Sequence, residues 1–270
     1  MNSVHHMNPS ASSEDSTIHT AQERRAEIVR LLMEEGTMQI KDLTTMFGVS
    51  LMTIHRDLIV LENQNVLRRL RGVVTAEKSM LIESNYRYRA GQQISLKRRL
   101  AKAAIRYIEP GNAVIWDDST TTFQVSEFIN EVTPVTVITN ALPVMEKFRD
   151  LMDIDLIALG GKYNRAYTGF FGLACENAIN AMSVDVALLS TTTIQGLSIY
   201  TQDEQVVRAK QAMIRVAKKK ILLVDSSKFH YSALNFVAHL TEFDTVLLAG
   251  DVEATVLESW HAAGVKFELV

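Results

Sequence analysis

The chain has 270 residues, of which 47% are hydrophobic, so it is long enough for two domains with a sizeable core. Its formal net charge of −3 argues against a non-specific polyanion binder. The single cysteine, Cys175, excludes a disulfide framework and suits a reducing cytoplasm, and no apolar run approaches the length of a membrane span. We therefore expect a cytoplasmic protein with no membrane partner, in which Cys175 is a packing residue.

The first part of the chain reads as a polar tail followed by two helices. Residues 1–20 are rich in Ser, Asn, His and Thr and lack an apolar signal core, which predicts a disordered tail. Helices are predicted over residues 23–35, ending at Gly36, and over residues 40–47. Their predicted inward residues are Ile28, Leu31, Leu32, Leu43, Met46 and Phe47.

A third helix is predicted to begin after Ser50, whose hydroxyl is a favoured N-cap. The apolar residues of this helix, three and four positions apart, share one stripe. The opposite face is polar and basic at its N-terminal end, which is the end that enters a DNA groove in helix-turn-helix proteins. The inward stripe is Ile54, Leu58 and Leu61, and the outward or flanking residues are Met52, Thr53, His55, Arg56 and Ile59.

Residues 66–74 alternate apolar and basic side chains, a pattern that predicts a hairpin, or wing, with exposed arginines. Three helices and a basic wing predict a winged helix-turn-helix domain over residues 21–76 that binds double-stranded operator DNA. The alternative for the helices alone is a helical subdomain with a solvated charged surface. The predicted DNA-binding residues are Ser50, Met52, Thr53, His55, Arg56, Arg68, Arg69 and Arg71.

Beyond a predicted linker over residues 77–94, the pattern changes to alternating helices and short apolar strands, up to residue 270. Strands that are continuously apolar and separated by helices predict a mostly parallel sheet with flanking helices. The predicted strands cover residues 113–116, 135–138, 156–159, 184–189, 221–224, 245–248 and 266–270. The predicted helices cover residues 96–108, 123–129, 142–149, 174–182, 204–218 and 252–263.

Polar residues follow several of these strands, where ligands bind in open parallel sheets. Hydroxyls, glycines and lysines recur there, and together they favour a site for an anionic polyol. Taken singly, each has a plainer explanation as a helix cap, a turn or a solvated charge, and Asp185 opens a strand. The strand ends are residues 117–122, 139–140, 160–162, 190–193 and 225–228.

Two stretches of the first domain resemble the DeoR family of bacterial sugar-metabolism repressors. Residues 53–58, with Leu61 and Glu62 beyond them, resemble the family's recognition helix, and residues 67–73 resemble its wing. This chain departs from the family at His55, where a first arginine is usual. In the wing, Arg71 and Val73 replace the usual histidine and second glycine.

The resemblance continues to the C-terminus. Residues 117–122 resemble the family's Asp-x-Gly-Thr-Thr loop, with Ser119 in place of glycine. It implies a sensor domain over residues 95–270, similar to the ribose-5-phosphate isomerase or sugar-phosphate-binding fold. The effector-binding residues predicted from the strand ends and the resemblance are Asp117, Ser119, Thr120, Thr121, Thr122, Thr139, Asn140, Gly160, Gly161, Lys162, Asp185, Glu204, Lys210 and Lys228.

The function implied by the resemblance is repression of a carbohydrate-metabolism operon, relieved by a phosphorylated sugar. It implies no cofactor, no metal and no enzyme activity, and we expect a homo-oligomer, either a dimer or a tetramer. One alternative is a sugar-phosphate isomerase-like enzyme with an appended helical domain, in which Glu204 or Asp117 would be the general base. Another is a metabolite-binding adaptor that has lost DNA binding.

Overall fold

The structure is a computed structural model that describes residues 20–63, 66–76, 86–230 and 232–270. The chain divides into two compact units, residues 1–77 and residues 78–270. The predicted tail, apart from Thr20, and most of the predicted linker lie outside the described residues. In the described part of the chain, no helix is both long and apolar enough to cross a membrane.

The first unit contains the three predicted helices and the wing. The helices are α1 (Ala21–Glu35), α2 (Ile40–Phe47) and α3 (Leu51–Asn63), and the strands are β1 (Thr37–Gln39), β2 (Leu67–Leu70) and β3 (Val73–Ala76). The antiparallel wing pairs Leu67 with Ala76, and β1 adds a third strand on the free side of β3. The sequence did not predict β1, because three residues are too few to show a strand period.

The core of the first unit lies between its three helices. Ile28, Leu43 and Ile54 are each completely buried, as the helical spacing predicts. The prediction was wrong for Met46, which is 55% exposed, because Ile40, Leu43 and Phe47 form the inward stripe of the short α2 and Met46 lies beside that stripe.

The second unit is an α/β domain. Its helices are α4 (Tyr86–Ala90), α5 (Ile94–Ala104), α6 (Thr120–Phe123), α7 (Leu142–Phe148), α8 (Leu173–Asn180), α9 (Glu204–Val216) and α10 (Ala254–Ala262). Its strands are β4 (Ala113–Trp116), β5 (Val135–Thr139), β6 (Ile154–Ala158), β7 (Lys162–Asn164), β8 (Gly169–Phe171), β9 (Val184–Ser190), β10 (Thr193–Gln195), β11 (Ser198–Thr201), β12 (Ala217–Asp225), β13 (Asn235–His239), β14 (Thr245–Ala249) and β15 (Phe267–Leu269).

Seven of these strands form one sheet in the order β15-β14-β12-β9-β4-β5-β6, and every neighbouring pair is parallel. The predicted α/β fold class is therefore confirmed. The chain moves outward from β4 to β5 and β6, then returns to place β9 on the other side of β4. This reversal creates a crevice at the carboxyl ends of β4 and β9, the position where doubly wound folds bind ligands.

The sheet is buried on both faces, which explains its continuously apolar strands. Successive residues of β12 alternate between two cores: Leu222 packs in one, with Trp260 of α10, and Leu223 packs in the other, with Phe148 of α7. Two small antiparallel sheets, β7-β8 and β10-β11-β13, were not predicted. Their three- to five-residue strands carry too few alternations to be recognised in the sequence.

Candidate DNA-binding surface and effector cleft

Helix α3 begins as the sequence predicts. The backbone amide of Thr53 donates to the hydroxyl of Ser50 over 3.2 Å, and the two hydroxyls lie 2.9 Å apart. The face of the helix opposite its buried apolar stripe is open to solvent. There Met52 is 64% exposed and Arg56 is also exposed, while His55 is half-buried on the flank. An exposed basic face at the start of this helix is suited to contact a DNA groove.

A buried ion pair fixes α3 against α1. Asp57, one turn after Thr53, accepts a hydrogen bond from Nε of Arg24 over 2.6 Å, and Nε of Arg25 lies 3.5 Å from its other oxygen. Asp57 and Arg24 are both buried, so their charges are compensated within the core. This role of Asp57 is not evident from the sequence, because the pairing of α1 with α3 is not visible in local spacing.

The three wing arginines differ in their surroundings. Arg68 on β2 and Arg71 in the hairpin turn are exposed, next to Gly72, whose φ of 76° suits glycine. The guanidinium of Arg69 instead pairs with the carboxylate of Glu62, with Nε at 2.7 Å and Nη2 at 2.6 Å. Its predicted DNA contact therefore competes with an ion pair inside the first unit.

In the second unit, a cleft opens at the carboxyl ends of β4 and β9 and contains about 320 Å³ of empty space, open solvent included. This is the position that the strand order predicts for a ligand. Five of the predicted effector-binding residues line it. The lining residues are Arg89, Asp118, Ser119, Thr120, Thr121, Tyr167, Ser190, Thr191, Thr192, Thr201, Val206, Lys210 and Lys228.

An ion pair between Asp117 and Lys210 lies beside the cleft. The ammonium group of Lys210 donates to Oδ2 of Asp117 and, over 3.0 Å, to the carbonyl of Ser190. Oδ2 of Asp117 also accepts the backbone amide of Ser190 over 2.8 Å. The pair therefore joins the ends of β4 and β9 to α9.

The two neighbouring carboxyl groups have opposite pKa shifts. Burial alone would raise the pKa of Asp117, but the charge and hydrogen bond of Lys210 lower it below its ordinary value. Burial raises the pKa of Asp118, and the charge of Asp117 adds to the rise, although Lys210 opposes it. Asp117 is thus held ionised, whereas Asp118 is the carboxyl group that faces the cleft.

The predicted loop after β4 is largely engaged within itself. The hydroxyl of Ser119 accepts the backbone amide of Thr122 over 3.0 Å, and Oγ1 of Thr122 donates to Oδ1 of Asp117 over 2.7 Å. Thr122 is completely buried and does not line the cleft, whereas Thr120 and Thr121 do. Ser119, in place of the family's glycine, therefore caps the short helix α6.

Two cations of the cleft region were missed by the sequence analysis. Arg89, which fell in the predicted linker, lines the cleft from α4. Lys97 is buried on α5, where its ammonium group donates to the carbonyl of Arg89 and, over 3.1 Å, to Oγ1 of Thr120. No motif marks either residue, and only the packing of α4 and α5 against the strand ends brings them here.

The environment of Lys97 favours its neutral form. Burial lowers its pKa to about 7, repulsion by Lys228 and Arg89 contributes to this fall, and Asp225 opposes it. A bound anion would favour the charged form.

Two predicted residues at the end of β5 have structural partners. Oγ1 of Thr139 donates to the carbonyl of Trp116 over 3.0 Å and accepts the amide of Ala141 over 3.0 Å. Nδ2 of Asn140 donates to the carbonyl of Phe170 over 3.1 Å, which ties β5 to the β7-β8 hairpin. Both are completely buried and neither lines the cleft.

The predicted Gly160, Gly161 and Lys162 do not join the cleft either. They are exposed and follow β6, the outermost strand, two positions away from β4. A Cβ at Gly161 would lie 2.5 Å from the carbonyl oxygen of Phe171, and its φ is 141°, so the close backbone approach of the hairpin explains this glycine.

Asp185 and Glu204, which the sequence grouped with the effector site, do not line the cleft. Asp185 lies at the amino end of β9, the opposite edge of the sheet, where it accepts the amide of Ala113 over 2.9 Å and pairs with Lys218. Its pKa is lowered, first by the hydrogen bond from Lys218. Glu204 is exposed at the start of α9 and pairs with Arg208 at 3.2 Å.

Among the described residues, no group of three or more His, Cys, Asp or Glu side chains is placed to hold a metal ion. Cys175 is buried on α8, and burial raises the pKa of its thiol to about 12. A thiol that stays protonated and enclosed is suited to packing and not to nucleophilic chemistry.

Comparison with known proteins identifies the family. The sequence model of the DeoR-like helix-turn-helix domain matches residues 24–80, and that of the DeoR C terminal sensor domain matches residues 92–248. The chain belongs to the DeoR family. It is 31% identical over 268 residues to a protein of Escherichia coli O157:H7 that is named as an aga operon transcriptional repressor, covering 97% of this chain and 98% of that protein.

A second DeoR-family relative is the HTH-type transcriptional repressor GlcR of Bacillus subtilis strain 168. It is 29% identical, over 84% of this chain and 87% of that protein. Among solved structures, ribose 5-phosphate isomerase A of Methanocaldococcus jannaschii matches at 17% identity and a TM-score of 0.35, over 50% of this chain and 54% of that one. This last match is too partial to carry a conclusion.

The family and the relatives agree with the predicted function class. The protein is a DNA-binding transcriptional repressor of the DeoR family, with a helix-turn-helix domain in its first unit and a sensor domain in its second. The enzyme alternative is not favoured, because these relatives are named as transcriptional regulators and repressors.

Proposed function

We propose that this repressor senses a phosphorylated sugar in the cleft at the ends of β4 and β9. The observation that carries the proposal is the convergence of three buried lysines, Lys97, Lys210 and Lys228, at or beside one cleft. Buried lysines grouped at one cleft favour an anionic ligand, because charge-assisted hydrogen bonds are shorter and stronger than neutral ones.

The uncharged part of the lining favours a polyol over a flat apolar ligand. Threonines at positions 120, 121, 191, 192 and 201 line the cleft, and Asp118 adds a carboxyl group. Hydroxyl and carboxyl groups of this kind can accept from and donate to sugar hydroxyls. A sugar phosphate satisfies both requirements, whereas an unphosphorylated sugar brings no anionic group to Lys228.

Repression and sensing are then coupled through a difference in affinity. The protein has one arrangement that binds DNA and one that does not. The effector must have the higher affinity for the arrangement that does not bind DNA. By the same thermodynamic cycle, operator DNA must weaken effector binding by an equal factor. This reciprocity can be measured in either direction.

A thermal-shift screen of the full chain tests the sensing half of the proposal. Hexose and pentose phosphates should raise the melting temperature, and the same sugars without phosphate should not. Lys228→Met removes a cleft cation while keeping most of the side-chain volume, and it should abolish the shift. Arg149→Gln is the matched control, because Arg149 is an exposed cation of the same unit, paired with Asp150. Equal shifts with and without phosphate would refute an anionic effector.

An operator titration tests the DNA-binding residues. A duplex selected from a random library by the full chain serves as the operator, and Arg56→Ala should weaken its binding by about tenfold, because one good base or phosphate contact is worth about 1–3 kcal/mol. Arg215→Ala removes an exposed arginine of the second unit and should change nothing. An unchanged operator affinity for Arg56→Ala would remove this residue from the proposed interface.

We further propose that residues 21–76 form the DNA-binding domain, that residues 77–94 lead to the sensor domain over residues 95–270, and that the protein acts as a dimer or tetramer. One small winged domain buries too little surface for a specific site, so two-fold assembly on a pseudo-palindromic operator is expected. Light scattering of the free protein measures its mass, and a monomer at micromolar concentration would contradict the assembly proposal.

A further inference from the structure

Arg89 is an unusual cation of the effector cleft, because two of its donors are buried without a partner. Its Nε and Nη2 are shielded from solvent and have no hydrogen-bond acceptor within the described part of the chain. These two donors form one edge of the guanidinium fork, the edge that binds a carboxylate or phosphate with two parallel hydrogen bonds. A buried donor left unsatisfied is costly, so its persistence calls for an explanation.

An aromatic ring and a carboxyl group lie near the guanidinium of Arg89. Its Cζ lies 5.7 Å from the centre of the Tyr167 ring, a cation–π distance that leaves the donors free for another acceptor. Asp118, which also lines the cleft, acts on Arg89 through its charge. Burial raises the pKa of Asp118, and the charge of Arg89 opposes that rise.

The backbone around Arg89 is attached to the cleft on both sides. The amide of Tyr86 donates to the carbonyl of Ala166 over 2.7 Å, next to Tyr167. The carbonyl of Arg89 accepts from Lys97, whose ammonium also bonds Thr120 at the cleft. Helix α4 is the first described element after β3 of the first unit. Among the described residues, Arg89 therefore lies on the element of the second unit that is nearest in sequence to the first unit.

We propose that Arg89 binds the anionic group of the effector through Nε and Nη2, and that this contact couples effector binding to the chain preceding α4. The inference rests on the proposed anionic effector. It assigns to Arg89 two separable properties: effector affinity, and the change in operator affinity that the effector causes. Arg89 thus belongs to the sensor site although it lies outside the predicted sensor domain.

Isothermal titration of the full chain with a sugar phosphate chosen by the thermal-shift screen tests the first property. Arg89→Gln should lower the affinity by about tenfold to hundredfold, since it removes a bidentate charged contact. Arg89→Lys keeps the charge but not the fork, and it should recover only part of the loss. The matched control Arg149→Gln should bind as the unmodified protein does.

Operator titration at saturating sugar phosphate tests the second property. The operator affinity of each protein without effector is its own reference, and light scattering of Arg89→Gln should give the mass of the unmodified protein, which shows that the variant is assembled. With effector at saturation for each protein, the unmodified chain should change its operator affinity at least about fivefold, within the usual range of allosteric coupling. Arg89→Gln should change it less than twofold, roughly the level of experimental error.

The outcomes separate this inference from the proposed function. If Lys228→Met loses sugar phosphate binding but Arg89→Gln retains it, the anionic effector stands and the role of Arg89 is overturned. If Arg89→Gln binds weakly but still releases the operator at saturation, Arg89 is a ligand contact only and the coupling claim is overturned. If the unmodified chain binds no phosphorylated sugar, the proposed function and this inference both fall.

Discussion

Lys210 of α9 forms a buried ion pair with Asp117, the residue that follows β4, at the point where the order of strands reverses. Lys210 also donates to the carbonyl of Ser190 at the end of β9 over 3.0 Å. Both side chains are almost completely buried, at 5% and 0% exposed. Removing the cation would leave an uncompensated carboxylate in the core, which is far more costly than losing an exposed pair.

We therefore expect Lys210→Met to lower the free energy of unfolding of the second unit by about 3–5 kcal/mol. Denaturant unfolding of the full chain, followed by tryptophan fluorescence, measures the loss, because Trp116 and Trp260 both lie in this unit. Adding Asp117→Asn should restore part of it by removing the buried charge. A loss below about 1 kcal/mol, in the range of an exposed pair, would show that water reaches this pair.

The depressed pKa of Lys97 predicts a pH dependence of stability. Its pKa falls from 10.5 to about 7 in the folded protein. Between these values the unfolded chain binds more protons than the folded one, so the contribution of Lys97 to stability increases as the pH rises from 7 towards 10. The unfolding free energy of the unmodified chain, minus that of Lys97→Met, should therefore increase over that range. A difference that does not change with pH would contradict the shift.

Arg69 and Arg71 should contribute unequally to operator binding. Arg71 is exposed in the hairpin turn, whereas the guanidinium of Arg69 is paired with Glu62. We expect Arg71→Ala to reduce the salt dependence of operator binding by about one counter-ion and Arg69→Ala by clearly less. Fluorescence anisotropy at several salt concentrations measures both slopes. Equal reductions would mean that Arg69 leaves Glu62 when DNA binds.

Glu204 should have no part in effector binding, although the sequence analysis grouped it with the site. It is exposed, and its carboxylate pairs with Arg208 on the same helix. Glu204→Gln should leave sugar phosphate affinity within about twofold, since such an i,i+4 pair is worth only about 0.3–0.5 kcal/mol. Lys228→Met provides the opposite control in the same titration. A large loss of sugar phosphate affinity in Glu204→Gln would place the ligand outside the cleft at the ends of β4 and β9.

Local sequence determined the elements whose signals repeat within one turn or one strand. The start of α3 at Ser50 and its buried stripe at Ile54 and Leu58 follow from a cap and a helical period. The parallel sheet follows from apolar strands separated by helices, a pattern that requires burial on both faces. The cap and the stripe depend on neighbours three or four positions away, and the alternation of apolar strands with helices is visible along the sequence.

Tertiary structure decided which strand ends meet. The sequence pattern grouped several strand ends into one site, but the strand order places Gly160 and Gly161 after the outermost strand and Asp185 at the opposite edge of the sheet. It also brings Arg89 and Lys97 to the cleft from a region without a motif. The physical reason is that the order of strands and the packing of helices depend on contacts between residues far apart in the chain.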